Sequence, residues 1–406
     1  MTVAETRTEL SAATPSVRQA LSTPALLALF GLIGLNLRTM FGAVPAVLDE
    51  IGDELHLSGF QLSLLTAVPV VCMGLLAPPS QRLAVRFGSE RVTTYALALL
   101  TGAELLRLGG HSIPVLYLST LLSGAAMGAT STVMPGLIGH HLIRTPGLGA
   151  GVYSMAMAVG STAAAWLTVS LTMGLGGWNR SLASWAALTA VTTILWALFV
   201  PRLTRTHTPE SAPDMHRLPW RSRTARLLCG YFAMQTLLGF SGLTWIAPAY
   251  RARGWAADDT GLLLSAFFAV QILAMLLLPA ITDRTHDRRP LIALSLGATA
   301  AGMLVFAAFP AAGYLGAVLY GIGVGGGFSL GLVLLVDVTS SREEAAGLSA
   351  MVFLLSYTFA GLGPVLVGVL HDATGGFTIG FLVLFVLGLA QLAIVPALRP
   401  GLRLSD

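Results

Sequence analysis

The chain has 406 residues, of which 55% are hydrophobic and only 10% charged, with a mean hydropathy of +0.77. Soluble domains carry about 25% charged residues, so this balance excludes an ordinary water-soluble globular protein. The formal charge of +4 comes from arginine without a single lysine, and in so apolar a chain the placement of arginine reports membrane orientation rather than a nucleic-acid partner.

The first 22 residues are polar and lack the short apolar core of a cleavable signal, so they read as a cytoplasmic tail ahead of a retained first helix. A hydrocarbon core about 30 Å thick takes about 20 apolar residues per helix. Windows of that kind fall at 23–48, 60–82, 91–109, 112–138, 147–172, 179–201, 225–250, 260–282, 289–309, 312–337, 345–370 and 376–397. The expectation is an all-α membrane protein with twelve transmembrane helices, multi-pass in the inner (cytoplasmic) membrane; the period-two alternation of a β-barrel is missing. Of the 23 arginines, all but Arg38, Arg107, Arg180, Arg251 and Arg253, that is 18, fall in the tails, in alternate connections or at the span ends beside them. The positive-inside bias therefore puts both termini in the cytoplasm. The first outer loop carries Asp49, Glu50, Asp53 and Glu54, in keeping with that orientation.

The polar stretch 202–224 separates the sixth span from the seventh and divides the chain into a six-helix bundle at 23–201, a second at 225–397 and a tail at 398–406. A shift of 202 lays "GFQLSLLTAVPVVCMGLL" (59–76) on "GLLLSAFFAVQILAMLLL" (261–278) and sets Arg82 on Arg284 and Arg86 on Arg288. A shift of 196 lays "GVYSMAMAVGSTAA" (151–164) on "GLSAMVFLLSYTFA" (347–360). The two matches point to a duplicated unit, so the two halves are pseudo-symmetric.

The order of "LNLRTMFGAVPAVLDEI", "RLAVRFGSERV", "GLGAGVYSMAMAVG", "TWIAPAYRARGW", "GLSAMVFLLSYTFAGLGP" and "GVLHDATGGF" resembles the cyanate/nitroimidazole transporter family of the major facilitator superfamily, from residue 30 to 380. The most specific pieces are "NLR" leading into Pro45 and "LHDATGGF". The resemblance implies a secondary transporter, not an enzyme, for a compact polar or anionic solute held near the midplane between the halves. It also implies an inner gate in the loop after the second span. There the wider superfamily has an aspartate where this chain has Val85, so the latch is expected to be asymmetric, formed by Arg82 and Arg86 with Asp283, Arg284, Asp287 and Arg288.

Arg38 lies midway along the first span, in "GLNLRTMFGAVP", where a guanidinium costs about 2.5–3.5 kcal/mol on insertion scales. It needs a partner or a purpose. The one clearly intramembrane carboxylate, Glu104, stands a turn from Arg107 and is expected to pair with it. Arg38 is thereby left to meet an anionic solute with fixed charge and paired donors; the competing reading is an arginine that snorkels or braces helix packing. Asn36 and Thr39 flank it as polar candidates. Tyr153, Tyr231, Gln235, Trp245, Gln271 and Tyr357 complete the candidate solute-binding set, since polar aromatics and amides orient a flat polar ligand without a full charge.

Other features carry less. "GIGVGGGFSLG" (321–331) has the glycines of a dinucleotide loop but lies in an apolar span with no strand before it, and a chain without lysine has no phosphate-binding Gly-Lys loop. No nucleotide, nucleic acid, cofactor or metal is expected, only a small-molecule solute and the bilayer, with the chain as a monomer. His140 and His141 read as solvated at a helix end, and Cys72 and Cys229 as buried thiols. With no carboxylate at the centre, proton coupling through a buried acid has little support. Three readings stay open: transport of a small anion or compact polar solute through Arg38, which is favoured; export of a neutral or weakly basic drug or metabolite with Arg38 structural; and a non-transporting membrane enzyme or sensor.

Overall fold

The computed structural model describes residues 22–142, 145–203, 218–282, 287–340 and 342–404. All regular structure among them is helical: α1 (Thr23–Ala46), α2 (Leu48–Leu55), α3 (Gly59–Leu75), α4 (Ala77–Phe87), α5 (Ser89–Leu106), α6 (Ile113–His141), α7 (Pro146–Leu175), α8 (Trp178–Leu203), α9 (Arg223–Arg251), α10 (Ala257–Thr282), α11 (Arg289–Ala308), α12 (Gly313–Asp337), α13 (Arg342–Ala360), α14 (Leu362–Thr374) and α15 (Thr378–Leu392). Among the described residues ten spans are long and apolar enough to cross a membrane, and the pair α3/α4, bent by 53°, makes an eleventh. Helix α5 is diluted by Glu90, Arg91 and Glu104, yet it packs between α6 and α8 as a member of the bundle. The order of helices accords with the twelve spans expected.

Local chemistry sets the breaks. Pro78 and Pro79 lie in the first turn of α4 and have no N–H to continue the ladder of α3, so the chain bends there. Helix α3 opens with a capping box: the Ser58 hydroxyl accepts from the Gln61 N–H at 3.3 Å while Gln61 accepts from the Ser58 N–H at 2.9 Å. The eleventh span, expected as one helix, is interrupted at Gly361 into α13 and α14. Part of the first outer loop is itself helical, as α2.

Small residues bring helices into backbone contact, the main route to tight packing in lipid. A Cβ on Gly42 of α1 would strike the Ser161 carbonyl of α7, and one on Gly160 of α7 the Leu35 carbonyl. The run 321–331 is helical, within α12 against α10 and α11, which leaves no phosphate loop there. Helices up to α8 pack mainly on one another, as do those from α9 onward. The two groups meet along two seams, α7 on α10 and α3 on α13 and α14.

Two side-chain expectations are corrected. Glu104 and Arg107 are both buried, but no ion pair joins them. Glu104 lies in α5, whereas Arg107 opens the 3-10 turn that follows it, so the regular i, i+3 geometry of one helix does not hold between them. His141 is not solvated: its Nε2 lies 3.0 Å from the buried Glu90 carboxylate, so α6 and α5 are tied there. Of the gate residues, Asp283 and Arg284 lie outside the described residues, as do most of the first tail and residues 204–217 of the linker. Cys72 and Cys229 are buried free thiols.

Candidate functional site

A cavity of about 860 Å³ lies between the two groups of helices, walled by α1, α3, α4, α6, α7, α9, α10, α12 and α13. It runs from Arg38 and Tyr153 to Gln81 and Arg82 on α4, where Arg82 is exposed. Among the described residues its only charged lining residues are Arg38 and Arg82, and none that lines it is acidic.

Arg38 is half-buried on α1, with its guanidinium carbon 5.1 Å from the centre of the Phe41 ring. Among the described residues no carboxylate comes within ion-pair distance of it and its side chain makes no hydrogen bond. The ring contact supports one face of the guanidinium and leaves its N–H edge for a ligand. Across the cavity wall, Tyr153 of α7 is buried, and its hydroxyl has no hydrogen-bond partner among the described residues. A buried phenol without a partner costs free energy unless a ligand or water satisfies it. Rings complete this end of the cavity: Phe41 and Phe240 have centroids 5.3 Å apart, Phe240 and Tyr357 6.4 Å, and Phe353 stacks on Tyr357 at 6.1 Å. Gln271 lines the opposite wall with a half-buried amide that bonds no other described side chain or backbone group.

The remaining candidates are placed differently. Asn36 is turned from the cavity into the contact of α1 with α8: its amide nitrogen donates to the Leu32 carbonyl at 2.7 Å and to Thr192 at 2.8 Å, and its oxygen accepts from Thr189 at 2.8 Å. Thr39 is buried and donates to the Asn36 carbonyl at 2.9 Å. Tyr231 is fully buried, its hydroxyl donating to the Gly327 carbonyl at 2.6 Å. Gln235 reaches the cavity wall with its amide already engaged, donating to the Gly323 and Val324 carbonyls and accepting from Gln391 at 2.8 Å. Trp245 lies outside the cavity lining and donates to the Pro364 carbonyl at 2.8 Å. Serines and threonines that sequence reasoning passed over also line the cavity, among them Ser131, Thr132, Ser154 and Ser161. They carry no signal in a chain rich in such residues.

The α4 end is open. Arg86 lies over the Phe87 ring, Arg288 pairs with Asp337 at 2.9 Å and Arg289 with Asp287 at 2.8 Å. These contacts stay within one group of helices, so among the described residues no latch crosses between the groups at this end. The opposite end is shut. Arg251, at the end of α9, bonds Asp49 of α2 at 2.7 Å. The two are 202 residues apart, the same shift that superposes the second span on the eighth, so the ion pair joins corresponding places in the two halves. The sequence did hold that signal, in opposite charges at repeat-related positions.

Two bundles of apolar helices around a central cavity with one open and one closed end define a membrane transporter. The comparisons with known proteins agree. The Major Facilitator Superfamily model matches residues 26–253 and 227–403. The cyanate transport protein CynX of Escherichia coli is 30% identical over 88% of this chain and 93% of its own. The 2-nitroimidazole transporter of the same organism is 26% identical over 88% and 91%. An uncharacterized transporter of Bacillus subtilis, YycB, is 27% identical over 87% and 88%. Among solved structures, a peptide transporter in complex with sulfate superposes with a TM-score of 0.75 over 92% of this chain and 94% of that one at 14% identity, a likeness of fold alone. The chain belongs to the Major Facilitator Superfamily, with the cyanate and nitroimidazole transporters among its relatives. It is a multi-pass protein of the cytoplasmic membrane.

Proposed function

We propose that the protein is a secondary transporter that carries a small anionic or compact polar solute across the cytoplasmic membrane by alternating access, with Arg38 as the central polar anchor. The observation that carries this is the guanidinium of Arg38, unpaired among the described residues, in a cavity none of whose described lining residues is acidic. A cation that costs energy in the membrane, held with its N–H edge free, is suited to a ligand of opposite charge. The solute-binding set narrows to Arg38, Tyr153, Gln271 and Tyr357; Asn36, Thr39, Tyr231, Gln235 and Trp245 hold the walls that carry them. The names of two relatives, a cyanate and a 2-nitroimidazole transporter, fit a small, flat or linear, polar solute.

The arginine bias places the open α4 end in the cytoplasm and the Asp49–Arg251 end outside. Rocking of the halves 23–201 and 225–397 about the seams then exposes the cavity to each side in turn. One chain contains the whole cavity, so a monomer suffices.

A second reading draws on the rings of Phe41, Phe240, Phe353 and Tyr357, which offer flat surfaces to a neutral heteroaromatic compound moving outward. Flux into proteoliposomes of the purified protein separates the two. Under the anion reading, cyanate or another small anion moves and inhibits the others competitively, and an imposed membrane potential alters the rate. Flux of a nitroimidazole that ignores every anion would establish the second reading instead. The same vesicles with a pH gradient test proton coupling, which is expected to be absent or indirect.

A further inference from the structure

The closed end holds a second link between the halves, and it differs from the Asp49–Arg251 pair. Asp372, in the last turn of α14, places its carboxylate on the N-terminus of α3: Oδ1 accepts from the Gly59 N–H at 2.6 Å and Oδ2 from the Phe60 N–H at 2.9 Å. The first backbone N–H groups of a helix have no partner within it and carry its partial positive charge, so a carboxylate there makes charge-assisted bonds. Residues 58 and 61 satisfy α3 internally through the capping box; the two N–H groups it leaves over are those that Asp372 takes from the other half of the molecule.

The contact fits closely. A Cβ on Gly59 would lie 2.7 Å from the Gly368 carbonyl and 2.8 Å from Asp372 Oδ1, and one on Gly368 would strike the Gly59 carbonyl. His371 beside it lies between Phe377, at 4.3 Å, and Trp245, at 6.2 Å, so α14 is braced against α9. Just below, Thr244 of α9 donates to Thr66 of α3 at 2.9 Å, again across the halves, and both are buried. All of this lies at the end of α3 and α14 remote from the cavity mouth.

We infer that Asp372 is a gate residue: its carboxylate, capping α3 across the two halves, holds the outer face closed while the cavity is open inward, and its release from the Gly59 and Phe60 N–H groups accompanies outward opening. A helix end is a reversible partner for this purpose. On separation both groups return to water, which hydrates the carboxylate and the N–H groups alike, and no buried charge is stranded. Asp49–Arg251 adds a second, partly solvated latch on the same face.

The test uses full-length protein in membrane vesicles with Cys72 and Cys229 replaced by alanine and Thr66→Cys as reporter, labelled from outside by a membrane-impermeant maleimide. Thr66 is buried beneath the clasp and opens to the outside only when the clasp parts. Asp372→Asn, which keeps the shape and removes the charge, is expected to raise the labelling rate on the order of tenfold; Asp372→Glu restores part of the closure. Phe60→Pro removes one of the two N–H donors without touching Asp372, at a position in the first helical turn where proline is tolerated and where the ring is exposed. It is expected to raise the rate in the same direction. Thermal unfolding of each variant in detergent distinguishes release of a gate from loss of fold, since a gate variant keeps its melting temperature. Unchanged labelling in both Asp372→Asn and Phe60→Pro, or faster labelling that merely tracks a lowered melting temperature, overturns the assignment. Labelling needs no solute, so its outcome is independent of the proposed substrate.

Discussion

Replacing Arg38 by alanine separates the anion site from the structural brace. Insertion scales put the cost of an arginine at a helix centre at about 2.5–3.5 kcal/mol. Arg38 meets that cost with one ring contact, to Phe41, and no ion pair or side-chain hydrogen bond among the described residues. Its removal therefore takes away little that holds the fold, and the melting temperature of the alanine variant should equal or exceed that of the wild type. Transport responds the other way. Hydrogen bonds to a charged group are worth about 1.5–3 kcal/mol, which corresponds to roughly 10- to 150-fold in affinity for an anion. Arg38→Lys keeps the charge and loses the forked donors, so it should lie between the two. The assay is initial-rate uptake into proteoliposomes over a range of solute concentration, beside a thermal melt. An alanine variant that moves the anion with wild-type KM and rate refutes the site; one that melts well below the wild type while losing transport shows a brace.

The other predictions rest on separate contacts. Tyr153→Phe removes a hydroxyl without a partner, so it should leave stability unchanged and raise KM for an anion several-fold, measured in the same uptake assay. Asn36→Ala removes three hydrogen bonds between and within helices, each worth about 0.6 kcal/mol in membrane proteins, and should destabilise by about 2 kcal/mol with KM unaltered. Glu50 lies in α2 beside the closed end, where burial first and the neighbouring Asp49 next raise its carboxyl above the ordinary value of 4.5. The folded form then holds a proton that the unfolded chain has released, so the stability from this group is present at low pH and is lost as pH rises through the folded value. Glu50→Gln should flatten that slope in melts taken from acidic to neutral pH. Preloading vesicles with the transported anion should speed uptake of labelled anion from the other side; equal rates with and without preloading would show that the empty carrier turns over as readily as the loaded one.

The fold was legible because the membrane demands it. Each span must satisfy its backbone internally over about 20 apolar residues, and that length shows in the sequence. Arg38 was legible for the same reason, as a charge where charge is costly. Asn36 and Arg38 are both polar residues of one span, yet one turns into a helix contact and the other into a cavity, and nothing in their types tells them apart. Gln235 shows the same limit: at the cavity wall, its amide is consumed by two carbonyls of α12 and by Gln391, partners 88 to 156 residues away. Glu104 and Arg107, three residues apart, look like a pair because sequence distance is visible and the helix end between them, at Leu106, is not. Asp372 belongs to a family-specific motif, "LHDATGGF", whose partner lies more than 300 residues back at a helix end, as backbone rather than side chain. Only Asp49 and Arg251 could have been matched, through the repeat.

The placement of charge bears on how such a carrier couples its movements. On the alternating-access reading proposed above, water entering at the α4 end would hydrate the guanidinium of Arg38 and relieve most of the insertion cost. Closing that end around an empty cavity would withdraw the water and restore the cost, because no carboxylate among the described residues lines the cavity to replace it. Closing it around an anion replaces water by a charge of opposite sign and leaves Tyr153 a partner for its hydroxyl. On the proposed reading the loaded form crosses the occluded state more readily than the empty one, by the same interaction that would confer affinity. If the proposed reading holds, tight coupling needs no proton-carrying acid in the membrane: Arg38, unpaired among the described residues, would make the solute itself the condition for closure, and exchange the faster mode.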